Sequence, residues 1–213
     1  MARGSVFEKL CSNLAEGFHA AAQPLTILRG TLDSTGADRR TLRDFRELIA
    51  HSSTEVRRLC TLYKCMNELV LVESVEAQLV ATPILPLLAS AASGVNFLLK
   101  KDAVRLTSMT NETSLAVLID RERTLKALTS SLRIASTVSR MQEPVELFAS
   151  PISSSTVQVV LQTVDSSTCS LDAETRLEIA LAEANICSQE ALFSLTLQPF
   201  RVQIELQRAQ FST

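Results

Sequence analysis

His19 is one of only two histidines in the 213 residues, and Gln23 and Pro24 follow it at spacings of four and five. An imidazole nitrogen is nucleophilic near neutral pH and can hold a phosphoryl group as a labile phosphoramidate. Gln23, one helical turn later, is a candidate to orient a water molecule, and Glu16, one turn earlier, is a candidate to fix the imidazole tautomer. These residue types at this spacing favour nucleophilic chemistry at His19.

A long helix over residues 5–33 must position this group. Its apolar or small residues recur in alternating steps of three and four, which is typical of a helix in a bundle. They are Phe7, Cys11, Leu14, Phe18, Ala21, Leu25, Leu28 and Leu32. His19 lies one position after this seam, so we expect it on the rim, partly open to water. Pro24 offers no N–H to the carbonyl of Ala20, which predicts a kink just past His19.

A second helix, from about 40 to 72, follows the turn at 33–38. Its seam again alternates three and four, through Leu42, Phe45, Ile49, Ser52, Val56, Leu59, Tyr63, Met66 and Val70. The two helices predict an antiparallel hairpin. A lone hairpin is marginally stable, so we expect two copies to pair as a homodimeric four-helix bundle. His51, beside Ser52, is interpreted as structural or solvated.

The pattern changes after a linker at 73–83. It predicts helices at about 86–98, 120–139 and 171–188, the last two capped by Asp120 and Asp172. Strand-like runs fall at 104–108, 115–119, 145–149, 156–164, 192–197 and 200–206, the last two joined around Gln198–Pro199. This order predicts an α+β sandwich, with one sheet and the helices on one of its faces. The predicted domains are residues 1–75 and 76–213.

The stretch His19-x-x-x-Gln-Pro-Leu-Thr26 resembles the H-box of dimeric sensor histidine kinases. The resemblance implies that His19 carries a phosphoryl group and that the hairpin dimerises. It also implies that the docking surface for response regulator receiver domains includes Thr26, Ile27 and Gly30. The sequence departs from the family at Ala20, where those proteins have an acidic residue that orients the imidazole and acts as base.

The order of elements after the linker resembles the ATP-binding domain of histidine kinases and gyrase-type ATPases. The family's magnesium-binding asparagine corresponds to Ile134 of this sequence or to a residue beside it. The family's glycine-containing adenine box corresponds to a segment near 165–169. All five glycines precede residue 95, and phosphate-binding loops depend on glycine for close backbone approach and positive φ. We therefore predict that nucleotide binding has been lost and that no cofactor is held, with Mg²⁺ supplied by the partner receiver.

Composition excludes several classes of function. A net charge of −2 with mixed signs and scarce aromatic residues argues against nucleic acid. The sequence has no apolar run long enough to predict a membrane span, and its first residues do not resemble a signal peptide. Five scattered cysteines without metal-ligand spacing predict reduced thiols, no metal site and a cytoplasmic location.

Two functional readings remain. The first is a histidine phosphotransferase, similar to a histidine kinase core, that relays phosphoryl groups between receiver aspartates through His19 without ATP. The second is a non-catalytic pseudokinase that regulates or scaffolds a response regulator or a histidine kinase. An autophosphorylating kinase is disfavoured by Ala20, by Ile134 and by the distribution of glycines.

Overall fold

The structure of the chain is a computed structural model, which describes residues 16–30 except 21, 25 and 28, and then 39–99, 102–107, 115–139, 143–164 and 171–209. The first helix, α1, is helical at every described position between 16 and 30. The later elements are α2 (Arg39–Ser74), β1 (Val80–Pro83), α3 (Ile84–Leu99), β2 (Val104–Leu106), β3 (Ala116–Ile119), α4 (Arg121–Val138), β4 (Val145–Pro151), β5 (Thr156–Gln162), α5 (Ala173–Cys187), β6 (Leu192–Leu197) and β7 (Phe200–Gln207).

The chain divides into two compact units, Met1–Val70 and Leu71–Thr213. The first contains α1 and most of α2, a 36-residue helix whose extent agrees with the helix predicted at about 40 to 72. Buried apolar side chains of this unit include Leu62, Cys65 and Leu69. None of the helices in the described parts of the chain combines the length and the apolar character that a membrane crossing requires.

The second unit is built on a five-stranded sheet with the strand order β2-β4-β5-β7-β6. Strands β2 and β4 are parallel, and the other neighbouring pairs are antiparallel. Successive residues of β7 alternate strictly between buried and half-buried from Phe200 to Leu206, with the buried ones on the inner face of the sheet. This alternation is typical of a sheet that packs on one face only, so the predicted α+β architecture is confirmed for this unit.

Helices α3, α4 and α5 cover that inner face and enclose one apolar core with it. Completely or almost completely buried side chains from the three helices, such as Leu88, Leu128 and Ile186, belong to the same cluster as Leu147 and Val202 of the sheet. The outer face keeps polar groups, and a hydrogen bond joins the Gln162 amide Nε2 to Glu146 Oε2 at 3.0 Å. The core therefore lies between the helices and the sheet.

Two features of the sheet differ from the sequence prediction. The runs at 104–108 and 115–119 lie in two separate sheets and not in the single predicted sheet, because β2 joins β4 while β3 pairs antiparallel with β1. Strand β1 lies inside the stretch predicted to be a linker. It has only four residues and a single buried side chain, Thr82, so its sequence carries no period-two apolar pattern.

The helix caps follow the prediction. The Asp120 carboxylate accepts a hydrogen bond from the backbone N–H of Arg123 at 3.1 Å, and Asp172 accepts one from Thr175 at 2.7 Å. The Arg123 guanidinium in turn donates to the carbonyls of Val72 and Val75 at 3.2 and 2.6 Å. This arginine fixes the last turn of α2 and the residue after it against α4, since a cation is stabilised by the free carbonyls at a helix C-terminus.

Candidate functional site

His19 lies on an exposed face of α1 together with three of the residues that the sequence singled out. His19, Ala22, Gln23, Thr26 and Ile27 line a shallow surface depression of about 290 Å³. Their spacing of three, four, seven and eight residues places them along one side of the helix. All five side chains are exposed, and the Thr26 hydroxyl donates to the Ala22 carbonyl at 2.9 Å. The depression is therefore an open surface suited to a docking partner rather than an enclosed pocket.

Two other residues predicted for this site, Glu16 and Gly30, also lie on α1 and are exposed. Neither is among the described residues that line the depression. Their proposed roles, as imidazole orienter and as docking contact, stay predictions.

The opposite face of α1 packs against α2. Gly17 and Pro24 are buried and lie seven residues apart, which is two helical turns. A Cβ atom at Gly17 would stand 2.7 Å from Leu59 Cδ2, so at this level the α1 backbone approaches the Leu59 side chain closely. His19 lies two residues after Gly17, about 200° around the helix, so it faces away from α2, and its side chain is exposed.

The two helices run antiparallel. If they were parallel, with Gly17 beside Leu59, residues 30 and 39 would be separated along the axis by about 50 Å at 1.5 Å per residue. Nine residues of extended chain span at most about 32 Å, so the link between 30 and 39 could not close that distance. The predicted antiparallel hairpin is the only arrangement that the Gly17–Leu59 contact allows.

This antiparallel register also shows which residues of α2 lie at the level of the site. Counting forward from Gly17 and backward from Leu59 brings Pro24 to the level of Ser52. Ser52 is 6% exposed, and its hydroxyl donates to the Leu48 carbonyl at 2.8 Å. Ser52 is small and its hydroxyl is hydrogen-bonded within its own helix, so it suits the level at which α1 carries the ring of Pro24.

The seam predicted for α2 separates into two stripes. One is buried or half-buried in the chain and contains Phe45, Ser52, Leu59 and Met66. The other recurs every seven residues and is 47% to 57% exposed; it contains Ile49, Val56, Tyr63 and Val70. We call this second set the exposed stripe.

Phe18 of α1 extends the exposed stripe. It is 64% exposed and directly follows Gly17. Val56 and Tyr63 lie three residues before and four residues after Leu59, and in an antiparallel pair of right-handed helices all three turn toward the same side. The hairpin therefore presents a row of exposed apolar side chains on the side toward which Phe18, Val56 and Tyr63 turn.

The resemblance to ATP-binding domains assigns the magnesium ligand of a nucleotide site to α4. Ile134, in place of a magnesium-binding asparagine, is apolar and 3% exposed. Asp120 serves as the N-cap of α4, and its own backbone N–H donates to Gln189 Oε1 at 2.6 Å. The predicted position of the adenine box, 165–169, lies outside the described residues. No group of three or more potential metal ligands occurs within the described part of the chain.

Glu55 of α2 is a mostly buried carboxylate that the sequence analysis did not identify. Its side chain is only 13% exposed, although it lies in a hairpin with few buried polar groups. The signal was present in the sequence as an acidic residue between the seam positions Ser52 and Leu59.

Comparisons with known proteins bear on the fold. No family model matches the sequence, and no curated protein matches it. Solved structures do match, among them the Acinetobacter baumannii histidine kinase AdeS, at 17% identity and a TM-score of 0.58 over 91% of this chain and 98% of that one. Full-length ShkA in complex with AMPPNP matches at 13% identity and a TM-score of 0.59, over 97% of this chain and 47% of that one. The cytoplasmic segment of histidine kinase QseC matches at 8% identity and a TM-score of 0.50, over 68% and 92%.

At sequence identities of 8% to 17%, the likeness to these structures shows the fold alone. It extends over both units in the first two matches, because each covers more than nine-tenths of this chain. A helical hairpin followed by a sheet covered by three helices is thus the arrangement that this chain shares with those structures. The chain has a histidine-kinase-like fold.

Proposed function

We propose that the chain is a two-component histidine phosphotransferase that relays phosphoryl groups between receiver aspartates through His19. The observation that carries the proposal is the exposed His19 at one end of a depression lined by Gln23, Thr26 and Ile27. A receiver domain needs an accessible nucleophile with a docking surface beside it, and this face of α1 offers both. A response regulator is the partner that this arrangement fits, and it would bring its own Mg²⁺.

The proposed reaction needs little beyond positioning. The imidazole nitrogen attacks the phosphorus of an aspartyl phosphate, the P–O bond to the carboxylate breaks, and the receiver aspartate leaves as a carboxylate. The reverse step delivers the group to a second receiver. Holding the two groups in line supplies most of the catalysis in such phosphoryl transfers.

Independence from ATP is supported by the second unit. The buried apolar side chain of Ile134 offers no oxygen or nitrogen to a magnesium ion. The sequence has no glycine after Gly94 to let a loop approach phosphates. The second unit would then be a partner-binding surface, and the protein would work in the cytoplasm, where receivers are found.

A homodimer is part of the proposal. The exposed stripe repeats every seven residues along α2, and Phe18 adds to it from α1. A second copy that covers this surface would form a four-helix bundle and leave the His19 face free.

A non-catalytic regulator that binds a receiver or a histidine kinase is the second candidate function. Ala20, in place of an acidic residue beside the histidine, favours it. In this reading the depression on α1 still binds a receiver, but no phosphoryl group reaches His19.

Incubation with a phosphorylated receiver separates the two candidates. We expect acid-labile label on the unmodified chain, no label on His19→Ala, and no label on either protein after incubation with Mg-ATP alone. His51→Ala is the matched control, since it removes the other histidine and should keep the label. A receiver that binds both proteins equally well and labels neither would leave the regulator as the function.

A further inference from the structure

The two edges of the five-stranded sheet are protected to different degrees. Strand β2, at one edge, has only three residues, and one of them is Arg105. The Asn96 side chain also covers the backbone of this strand, since its amide donates to the Val104 carbonyl at 3.2 Å and accepts from the Val104 N–H at 2.9 Å. Short length, a charge and a covered backbone are the usual means by which a protein prevents an edge strand from pairing with another chain.

Strand β6, at the other edge, is neither short nor charged. It contains six residues, Leu192–Leu197, without a charged side chain or a proline. Leu192 is 64% exposed and Leu197 is 39% exposed. A strand of this length and composition at the edge of a sheet is suited to accept a further strand.

The hydrogen bonds of the sheet show which backbone groups of β6 face outward. The Phe200 carbonyl accepts a hydrogen bond at 3.0 Å from the backbone N–H of the residue after β5, so Phe200 and every second residue after it direct their backbone groups toward β5. The residues between them direct theirs toward β6, where Ser194 lies opposite Gln203. Because these directions alternate along a strand, the backbone groups of Phe193 and Leu195 point away from β7, to the side where the structure describes no further strand of this sheet.

We propose that the free edge of β6 pairs with β6 of a second copy, antiparallel and about a two-fold axis at Ser194. In this register the outward backbone groups of Phe193 meet those of Leu195 of the second copy, and about four hydrogen bonds join the two sheets. The half-buried side chains of Phe193 and Leu195 then lie side by side on the inner face, which adds apolar contact between the strands. The inference goes beyond the proposed function and does not depend on it.

The sequence of the sheet favours a second copy over a foreign segment. An antiparallel copy centred on Ser194 keeps inner residues beside inner residues, because directly opposed residues point to the same face. Thr196 then lies opposite Leu192 of the second copy, so a row on the outer face runs from Arg201 through these two residues to Glu205 of the second copy. The ends of this row, about 14 Å apart, carry opposite charges, and the two-fold axis repeats the arrangement.

An interface of two short strands is small. It falls below the size of stable protein complexes, so we expect association at millimolar rather than micromolar concentration. The test therefore uses Val56→Glu with Tyr63→Glu, whose charges in the exposed stripe oppose the other proposed contact between copies. Self-association that remains in this double variant reports on the second unit.

Amide hydrogen exchange, followed by NMR in this double variant, shows whether the edge is covered. In dilute solution the N–H groups of Phe193 and Leu195 should exchange rapidly, while those of Ser194 and Thr196, which face β7, should be protected. At millimolar concentration we expect exchange at Phe193 and Leu195 to slow by up to about tenfold, the value for an edge that is open one-tenth of the time.

Ser194 provides matched variants in the same background, because its exposed side chain lies at the proposed axis. Ser194→Lys and Ser194→Glu should each remain folded and lose the association, since two like charges would stand directly opposite each other. An equimolar mixture of the two variants should regain it, because the opposed charges then attract. Ser154→Lys, an exposed change in the turn between β4 and β5, should associate like its parent.

Other results would overturn the inference. Exchange at Phe193 and Leu195 that stays rapid at millimolar concentration would show that no second copy covers the edge. Association that survives Ser194→Lys, or that the mixture fails to restore, would place the contact elsewhere. Exchange that slows only on addition of a synthetic peptide of alternating valine and threonine would show that the edge binds a foreign strand instead.

Discussion

Two buried residues with unusual backbones, Gly17 and Pro24, keep His19 exposed. They lie on the face of α1 that turns toward α2. Each differs from an ordinary helical residue, because glycine has no side chain and proline has no backbone N–H. Gly17 permits close approach, while Pro24 leaves the carbonyl of Ala20 without its helical N–H partner. His19 thus lies on the side of α1 opposite to the face that packs against α2.

Replacement of Pro24 by alanine should stabilise the protein and weaken its function. The variant regains one helical hydrogen bond and relieves the crowding of the Ala20 carbonyl, a gain of up to about 3 kcal/mol. The variant also loses two buried methylene groups, which lowers this gain in stability by about 1.6 kcal/mol. We expect the free energy of unfolding to rise by about 1 to 2 kcal/mol in denaturant titrations, while label transfer from a phosphorylated receiver falls because the helix straightens at His19.

Pro86→Ala is the matched control for this prediction. Pro86 is the third residue of α3, where a backbone N–H has no intrahelical acceptor, so its replacement should change stability little. A Pro24→Ala protein that is more stable and equally active would show that the proline has no part in transfer.

At the scale of elements, the approach of α1 to α2 at Gly17 determines the register of the hairpin, which brings Pro24 to the level of Ser52. A leucine at position 17 should force the helices apart, because even its Cβ would lie 2.7 Å from Leu59 Cδ2. We expect Gly17→Leu to lower the free energy of unfolding by about 1 to 3 kcal/mol, as overpacking typically does. It should also change the His19 imidazole signals by moving α2 away.

Gly94→Ala provides the contrast. Gly94 lies in α3 with nothing within 4 Å of an added Cβ, so alanine should stabilise the protein by about 0.5 to 1 kcal/mol through helix propensity alone. If Gly17→Leu were as stable as the unmodified chain, with unchanged His19 signals, the close approach of the helices would not set the register.

The elements that could be predicted from sequence are those with a strong local signal. The long helices, the caps at Asp120 and Asp172 and the hairpin at Gln198–Pro199 all have such a signal, and the structure contains them. Strand β1 and the pairing of β2 with β4 could not be predicted, because strand partners depend on contacts between residues far apart in sequence. The position of Gln23 on the same side of α1 as His19 could be predicted from helical spacing, whereas the level of Pro24 against Ser52 depends on the register between two helices.

At the scale of the whole molecule, one hydrophobic pattern along α2 is divided between a buried part and an exposed part. The steps of three and four along α2 read as a single seam in the sequence, yet the chain buries only part of it against α1. The remaining part, the exposed stripe, keeps a seven-residue repeat although its side chains are about half exposed in the single chain. An apolar repeat of that regularity is typical of helices that pair with a further helix.

A charge in the exposed stripe should therefore dissociate the protein without unfolding it. Val56 and Tyr63 are 47% and 57% exposed, so Val56→Glu with Tyr63→Glu adds no buried charge to the single chain but places two carboxylates in the proposed interface. We expect a dimer for the unmodified protein and a folded monomer for the double variant, by light scattering at micromolar concentration together with circular dichroism. Thr54→Glu, an exposed change on another face of α2, should remain dimeric. An unmodified protein that is already a well-folded monomer would contradict the prediction. The apolar repeat would then be stable while exposed to water, and a single hairpin would be enough to present His19.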